Sequence, residues 1–413
     1  MRFSAPNFAL CSAALIAVLG TGAAAQQSEP TGGVQLTFGT TLRFETNDNA
    51  DLNPVSLGST QTVSTILNFG LLSETRTKRF ALDLGGQLRY RDEPGATNQS
   101  VGLEKPDISL AYSQKSAAAR FQFTASIREI DLSDATDPVT FITLDGTRRK
   151  SLVEARLNLR DGRPLGFGVF ARAEDVSYGG PTAPLRVGYK RWTTGASARL
   201  DFNDVSQLNF NLSHSVYDDD TAGSTRTTND LTAALSIDRN FGIATGALGY
   251  TDTENGSRVT ASVGHSFVLP YGEQSFSLGV TRGTTGTVYA IGTIDLAYDL
   301  PRGEISAGVN RRVSNNETDD TEELTTDLSL NYLQEISPVS TFGVGITWSE
   351  NERTVAATST KSTSINIAYK YNLTPDWQLS AGYKHKTRRL TGAARADSNL
   401  VFFQFKRQIS VRY

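Results

Sequence analysis

Residues Asn399 to Tyr413 read NLVFFQFKRQISVRY, and this terminal stretch decides the fold. Counted back in twos, one set of positions holds Tyr413, Val411, Ile409, Arg407, Phe405, Phe403 and Val401. The set between them holds Arg412, Ser410, Gln408, Lys406 and Gln404, with Phe402 and Leu400 nearer the start. One side is mostly apolar and the other mostly polar at a period of two, the pattern of a half-buried β-strand.

The same alternation recurs along the chain in segments of about ten residues, separated by turn residues. Twenty such segments can be drawn between Val34 and Tyr413, which predicts an all-β chain of about 16–22 strands with 20 as the best count. No capped apolar pattern of helical period runs for three turns. Leu152–Arg160 sets Val153, Ala155, Leu157 and Leu159 against Glu154, Arg156, Asn158 and Arg160. In the strand ending at Arg389, Trp377, Leu379, Ala381 and Tyr383 oppose Ser380, Lys384, Lys386 and Arg388. Every strand carries an apolar side and no amphipathic helix is present to cover it, so lipid is the expected cover and a wet lumen the expected interior. The architecture predicted is a transmembrane, antiparallel, up-and-down β-barrel.

Loop lengths sort by parity. Long polar segments follow odd strands at 46–61, 92–106, 131–151, 218–230, 314–323 and 351–362. Short turns follow even strands at 161–164, 203–206, 300–303, 335–340 and 372–376. Long outer loops alternating with short periplasmic turns are expected of an outer-membrane barrel; Gly283–Gly286 breaks the rule by being tight where a long loop is due. Tyr90, Tyr112, Tyr217, Tyr298, Trp348, Tyr371 and Trp377 fall near strand ends, where interfacial aromatic girdles belong. Arg407 is a misfit: near mid-membrane on a lipid-facing position it would cost about 2–4 kcal/mol. A bulge, snorkelling or a register change is expected there.

At the other end Arg2, the apolar run Ala9–Leu19 and the small residues Ala23-Ala24-Ala25 form a signal peptide over residues 1–25. Its apolar run is too short to cross a bilayer as a helix, and Phe8-Ala9-Leu10 ahead of Cys11 is no lipobox. Residues 26–33 read as a brief periplasmic lead-in, and 34–413 as the barrel. Removing the leader takes away the single Cys and the single Met, which excludes disulfides, thiol catalysis and cysteine-ligated metal. A net charge of −3 offers no pull toward nucleic acid.

Two local features carry a family resemblance. Tyr413 with Val411, Ile409, Phe405 and Phe403 before it resembles the β-signal of bacterial outer-membrane proteins, which the barrel-assembly machinery reads. Phe44–Asn49, FETNDN, followed by Ala50-Asp51-Leu52-Asn53-Pro54, resembles the first-strand exit of the outer-membrane β-barrel porins of proteobacteria; Phe44 and Glu45 stand where that pattern prefers Tyr and Asp. The resemblance implies a location in the bacterial outer membrane after export, and contact with outer-membrane lipid and lipopolysaccharide. It also implies a porin-like channel for passive diffusion of small hydrophilic solutes or ions. A barrel associated with exopolysaccharide secretion and a structural or surface-contact barrel stay open beside it, as does the oligomeric state.

Enzymatic chemistry has thin support. His214 lies near Asp218–Asp220, His265 alternates with Val263 and Phe267, and His385 sits among Lys384, Lys386, Arg388 and Arg389. None forms a recognisable catalytic spacing. The acids at 218–220 and at Glu317, Asp319, Asp320, Glu322 and Glu323 could bind calcium but lack EF-hand spacing, and no motif calls for a cofactor. The candidate functional residues are those that alternation turns inward: Arg156, Arg160, Arg199, Lys370, Lys384, Lys386 and Arg388. Counted along all strands, inward bases exceed inward acids by roughly six, which predicts a lumen that prefers anions.

Overall fold

In the computed structural model the described residues are 32–94, 100–132, 146–160, 162–180, 187–220, 225–315, 321–353 and 358–413, with the backbone alone at 100–103. The predicted leader lies outside them. The first ten strands are β1 (Gly33–Asn47), β2 (Thr60–Glu74), β3 (Lys78–Asp92), β4 (Ser100–Lys115), β5 (Ala119–Asp131), β6 (Thr147–Leu159), β7 (Leu165–Gly179), β8 (Tyr189–Asn203), β9 (Ser206–Asp219) and β10 (Thr225–Arg239). The second ten are β11 (Gly242–Thr253), β12 (Gly256–Leu269), β13 (Gly272–Arg282), β14 (Val288–Leu300), β15 (Gly303–Asn315), β16 (Glu322–Ser337), β17 (Ser340–Arg353), β18 (Ser359–Asn372), β19 (Trp377–Leu390) and β20 (Ala396–Arg412).

Each strand pairs antiparallel with the next, and β20 returns to pair with β1 from Leu400↔Asn47 to Arg412↔Gln35. Two further backbone hydrogen bonds finish the seam: Tyr413 N–H to the Val34 carbonyl at 2.8 Å, and Val34 N–H to the Tyr413 carbonyl at 3.2 Å. Closure gives every described strand a paired neighbour on both sides, the condition a β-structure must meet to stand in hydrocarbon.

The side chains are sorted inside out relative to a soluble protein. Phe38, Leu248, Val263 and Leu278 are each more than half exposed and all point outward. The wholly buried set is largely polar, with Ser64, Thr281, Thr325, Asn351, Glu174 and Glu323 among it. An apolar outer surface on every strand far exceeds what a soluble monomer exposes; lipid is the medium that matches it. No helix among the described residues is long and apolar enough to cross a membrane; the strands do the crossing.

The short-turn end is built from residues that suit two-residue hairpins. Asp204-Val205, Asn240-Phe241, Pro270-Tyr271, Pro301-Arg302 and Pro338-Val339 each join an even strand to the next odd one. Asn203 accepts the Val205 N–H at 3.0 Å, so the turn's own side chain satisfies it. After Asn240-Phe241 the chain needs φ +134° at Gly242, and a Cβ there would lie 1.6 Å from the Ser266 carbonyl oxygen. Only glycine fits that position.

The twenty strands match the predicted count, and three details differ from the sequence reading. First, strands run further out than alternation suggests: β4 starts at Ser100, β6 at Thr147 and β10 at Thr225, inside segments read as loops. Above the lipid both faces of a ladder are wet, so pairing continues where the apolar alternation has stopped. Segment 283–287 is tight, as the sequence indicated, with Gly286 N–H on the Gly283 carbonyl at 2.9 Å, and Glu254-Asn255 is a second tight outer turn. Second, the ladders through Arg407 show no bulge or register change. Arg407 faces outward directly opposite Trp377, the first residue of β19, while Gln408 to Arg412 pair only with β1. The stagger between neighbouring strands thus drops Arg407 from mid-membrane to the short-turn rim. Third, Tyr217 is not a girdle residue. It points inward, buried, with its ring stacked 4.7 Å from Tyr189. Tyr90, Tyr298 and Tyr371 do face outward and are exposed.

Candidate functional site

Directly opposed residues of an antiparallel pair project to one face, so the registers carry one inward set around the whole ring. It includes Arg43, Ser64 and Arg89, and, across the seam, Leu400, Lys384 and Lys386, all of which line one cavity. The inward face is the candidate functional surface.

The sequence-derived candidates occupy separate levels of it. Arg156 and Arg199 belong to the short-turn half of β6 and β8. Arg156 lies 3.3 Å from Glu154 and 5.2 Å over the Phe170 ring. Arg199 donates to the Arg163 carbonyl at 2.9 Å and stands 3.5 Å from Asp201. Arg160 is exposed in the turn after β6, at φ +57°. Lys370 sits opposite Ser380 near the same end of β18. Lys384, Lys386 and Arg388 form the outer half of β19, where Arg388 donates to the Leu52 carbonyl at 3.0 Å.

Charge is distributed unevenly around the ring. The inward positions of β17 to β20 carry Arg353, Lys370, Lys384, Lys386, Arg388, Lys406 and Arg412 and not one acid. The inward positions of β10 to β15 carry six acids, Asp230, Asp238, Glu273, Asp295, Asp299 and Glu304, against three bases, Arg226, Arg258 and Arg312. Around the rest of the ring and at its joins with these arcs, bases and acids meet in pairs that alternation alone does not resolve. Arg43 binds Glu45, Arg312 lies 2.8 Å from Asp327, and Lys150 and Arg172 lie 3.0 and 2.8 Å from Glu174. The net positive wall is therefore the β17–β20 arc.

The outer mouth above this arc is roofed by the loop between β1 and β2. Asn49 organises it: its amide donates to the carbonyls of Asn53 at 2.7 Å and Asp397 at 2.8 Å, and its carbonyl accepts the Asn53 N–H at 3.0 Å. Leu52 adopts φ +52° and is turned in rather than out. Arg388 holds its carbonyl from β19, and Asp51 meets Arg91 of β3 at 3.5 Å. Beneath the roof lies a cavity of about 300 Å³.

The histidines do not assemble an acid–base site. His214 and His385 pair with Asn229 at 2.8 Å and Asn399 at 2.9 Å, and His265 packs on Phe267. All three project to the outward face. Of the acids weighed for calcium, Glu322 lies near Arg258 and accepts the Thr284 N–H, while Glu323 meets Arg353 and Asn351. Residues 317, 319 and 320 lie outside the described set. Among the described residues no group of His, Cys, Asp and Glu is arranged to hold a metal ion.

No family model and no curated protein matches the chain. Solved structures do. The siderophore receptor PirA from Pseudomonas aeruginosa aligns over 92% of this chain and 81% of its own, at 10% identity and a TM-score of 0.53. A variant of the ferric enterobactin receptor PfeA from the same organism aligns over the same shares at 9% identity and a TM-score of 0.54. OpdK from Pseudomonas aeruginosa, solved with vanillate, aligns over 92% of this chain and 99% of its own at 13% identity and a TM-score of 0.43. The likeness to the two receptors shows the fold: this chain is a large membrane β-barrel.

Proposed function

We propose that this chain is a non-enzymatic channel of the bacterial outer membrane, open to passive diffusion of small hydrophilic solutes and ions and favouring anions. The observation that carries it is the inward face: a closed ring of twenty strands whose lumen side is polar, with one arc bearing bases and no acid. A barrel of this strand number encloses more space than its own wall side chains fill. The location follows from the fold and from a predicted export leader over residues 1–25, with 26–33 a lead-in to the barrel. Assembly by the barrel-assembly machinery is supported by Phe403, Phe405, Ile409, Val411 and Tyr413, which share the outward parity of β20. Recording from the purified chain in planar bilayers tests the proposal. Stepwise, ohmic current increments are expected, and folded protein that inserts without carrying current would refute it.

A further inference from the structure

The piece of chain that roofs the cavity folds on itself before it touches the wall. The Asn49 side chain accepts the Asn53 N–H at 3.0 Å and donates to the Asn53 carbonyl at 2.7 Å. Leu52 N–H donates to the Asn49 carbonyl at 3.1 Å. Residues 49–53 are thus one closed turn, with Leu52 at φ +52° and buried. Residues 54–59 beyond it are exposed.

One side of this turn is fixed to the barrel. Asp48, just before it, accepts the backbone N–H of Asn399 at 2.7 Å and its side-chain amide at 2.6 Å. Asp48 N–H donates to the Asn399 carbonyl at 3.1 Å, and the Asn49 amide donates to the Asp397 carbonyl at 2.8 Å. These four bonds continue the β1–β20 seam, so Asp48 and Asn49 belong to the wall.

The far side is held differently. There Arg388 of β19 donates to the Leu52 carbonyl at 3.0 Å, and Asp51 meets Arg91 of β3 at 3.5 Å. Arg91 also holds Glu93, at 2.5 Å, so it keeps a carboxylate partner when Asp51 leaves. A carbonyl and a guanidinium that separate at the outer mouth each take water in exchange, which makes the net value of the bond small. Beneath the turn lies a cavity edged by Thr60, Thr62, Ser64, Gln87 and Ser398 rather than a packed apolar core. A segment with little apolar burial and a few polar ties belongs to the low-stability end of a fold.

We infer that residues 49–53 are a latched cap over this side of the lumen. The cap hinges where Asp48 joins Asn399, is held shut by Arg388 and Arg91, and swings away from the cavity when both let go. The inference rests on the channel reading and deepens it: solute enters along this part of the wall when the cap is open and is blocked there when it is closed.

The test uses the full-length barrel folded in detergent and a water-soluble methanethiosulfonate. The single cysteine, Cys11, lies in the predicted leader, so Leu52→Cys and Val55→Cys each present one thiol. Val55 is on the exposed part of the loop and Leu52 is under the cap. Leu52→Cys should react at least tenfold more slowly than Val55→Cys, yet react completely while heat-modifiable mobility shows the barrel still folded. Adding Arg388→Gln should speed the Leu52→Cys reaction at least fivefold and adding Asp51→Asn at least twofold, with Val55→Cys unaffected by either. If Arg388→Gln does not fold, Asp51→Asn decides; if Leu52→Cys does not fold, Ala50→Cys, on the same turn and cavity, replaces it. Equal rates at the two thiols would show that no cap is closed. A capped thiol that never reacts in the folded barrel would show a fixed plug, and rates unmoved by the folded latch variants would show that Arg388 and Arg91 hold nothing; each overturns the inference. Thiol modification needs no current, so a barrel whose cap opens but which does not conduct would refute only the channel reading. One that conducts while its cap fails these tests would refute only the cap.

Discussion

The guanidinium of Arg407 lies 5.0 Å from the centre of the Trp377 ring, on the outward face where β19 begins. Phe405 packs on the same indole from the other side in sequence, at 4.5 Å between ring centres. A charge on a lipid-facing strand position is costly at mid-membrane and nearly free at the interface, about 0–1 kcal/mol. Trp377 belongs at that interface by its own chemistry, with an apolar ring and a polar N–H. The pair therefore reports the level of the lipid boundary at the short-turn end.

A double-mutant cycle on this pair checks the assignment. With Trp377→Ala, Arg407→Gln and both together, barrel stability in lipid vesicles should show a coupling of about 0.5–1 kcal/mol, the size of an exposed cation–π contact. Additive single effects would place Arg407 away from the ring.

Gly242 and Gly246 share β11 and should respond oppositely to one methyl group. At Gly242 the backbone is left-handed and a Cβ would strike the Ser266 carbonyl, whereas at Gly246 nothing lies within 4 Å. Gly242→Ala should cost more than about 1 kcal/mol of unfolding free energy, and Gly246→Ala less than about 0.5 kcal/mol. Equal effects would contradict the tight turn after β10.

Tyr413 is tied into the ring it finishes, because its backbone bonds to Val34 in both directions. Deleting Val411–Tyr413 removes the end of the β1–β20 seam as well as the predicted assembly signal, whereas Tyr413→Ala removes the aromatic ring alone. Both should lower the yield of heat-modifiable barrel from cells without lowering synthesis. Separating the two roles requires refolding in detergent, where no machinery is present. There Tyr413→Ala should fold normally, and failure to do so would mark the residue as structural instead.

The leader has a direct check. Intact-mass measurement of protein taken from the membrane should give a chain beginning at Gln26, and a mass that retains residues 1–25 would contradict export through a cleaved signal.

How much of this was legible in the sequence follows from which forces are local. The period-two sorting of Trp377 to Arg388 is a local consequence of pleat and lipid, so the faces of β19 can be read from residues alone. The level of Arg407 cannot, since it depends on the stagger that closure imposes between β19 and β20. Tyr217 lies near the outer end of β9, where nearness to a strand end alone suggests a girdle; its register with β8 and β10 and its stack on Tyr189 place it inward instead. The roof over the cavity was invisible for a different reason. Asn49 meets Asp397, and Arg388 meets Leu52, across separations of more than 300 residues, and no local pattern encodes such contacts.

The charge asymmetry of the wall leads to the last prediction, ion selectivity. On the β17–β20 arc the inward bases face no inward acid of their own strands, while Asp230, Asp238, Asp295 and Asp299 stand on the β10–β14 arc. Acids at the outer mouth act at a distance and are screened beyond about 8 Å at physiological salt. The wall lines the path itself, so it should set the sign. With KCl held unequal across a bilayer, the reversal potential should correspond to chloride crossing more readily than potassium. Changing Lys384→Ser, Lys386→Ser and Arg388→Ser together should move that potential toward zero; Arg388→Ser also frees the Leu52 carbonyl, so conductance should rise as the roof loosens. A cation-selective pore, or selectivity untouched by the triple change, would show that ions follow another part of the lumen.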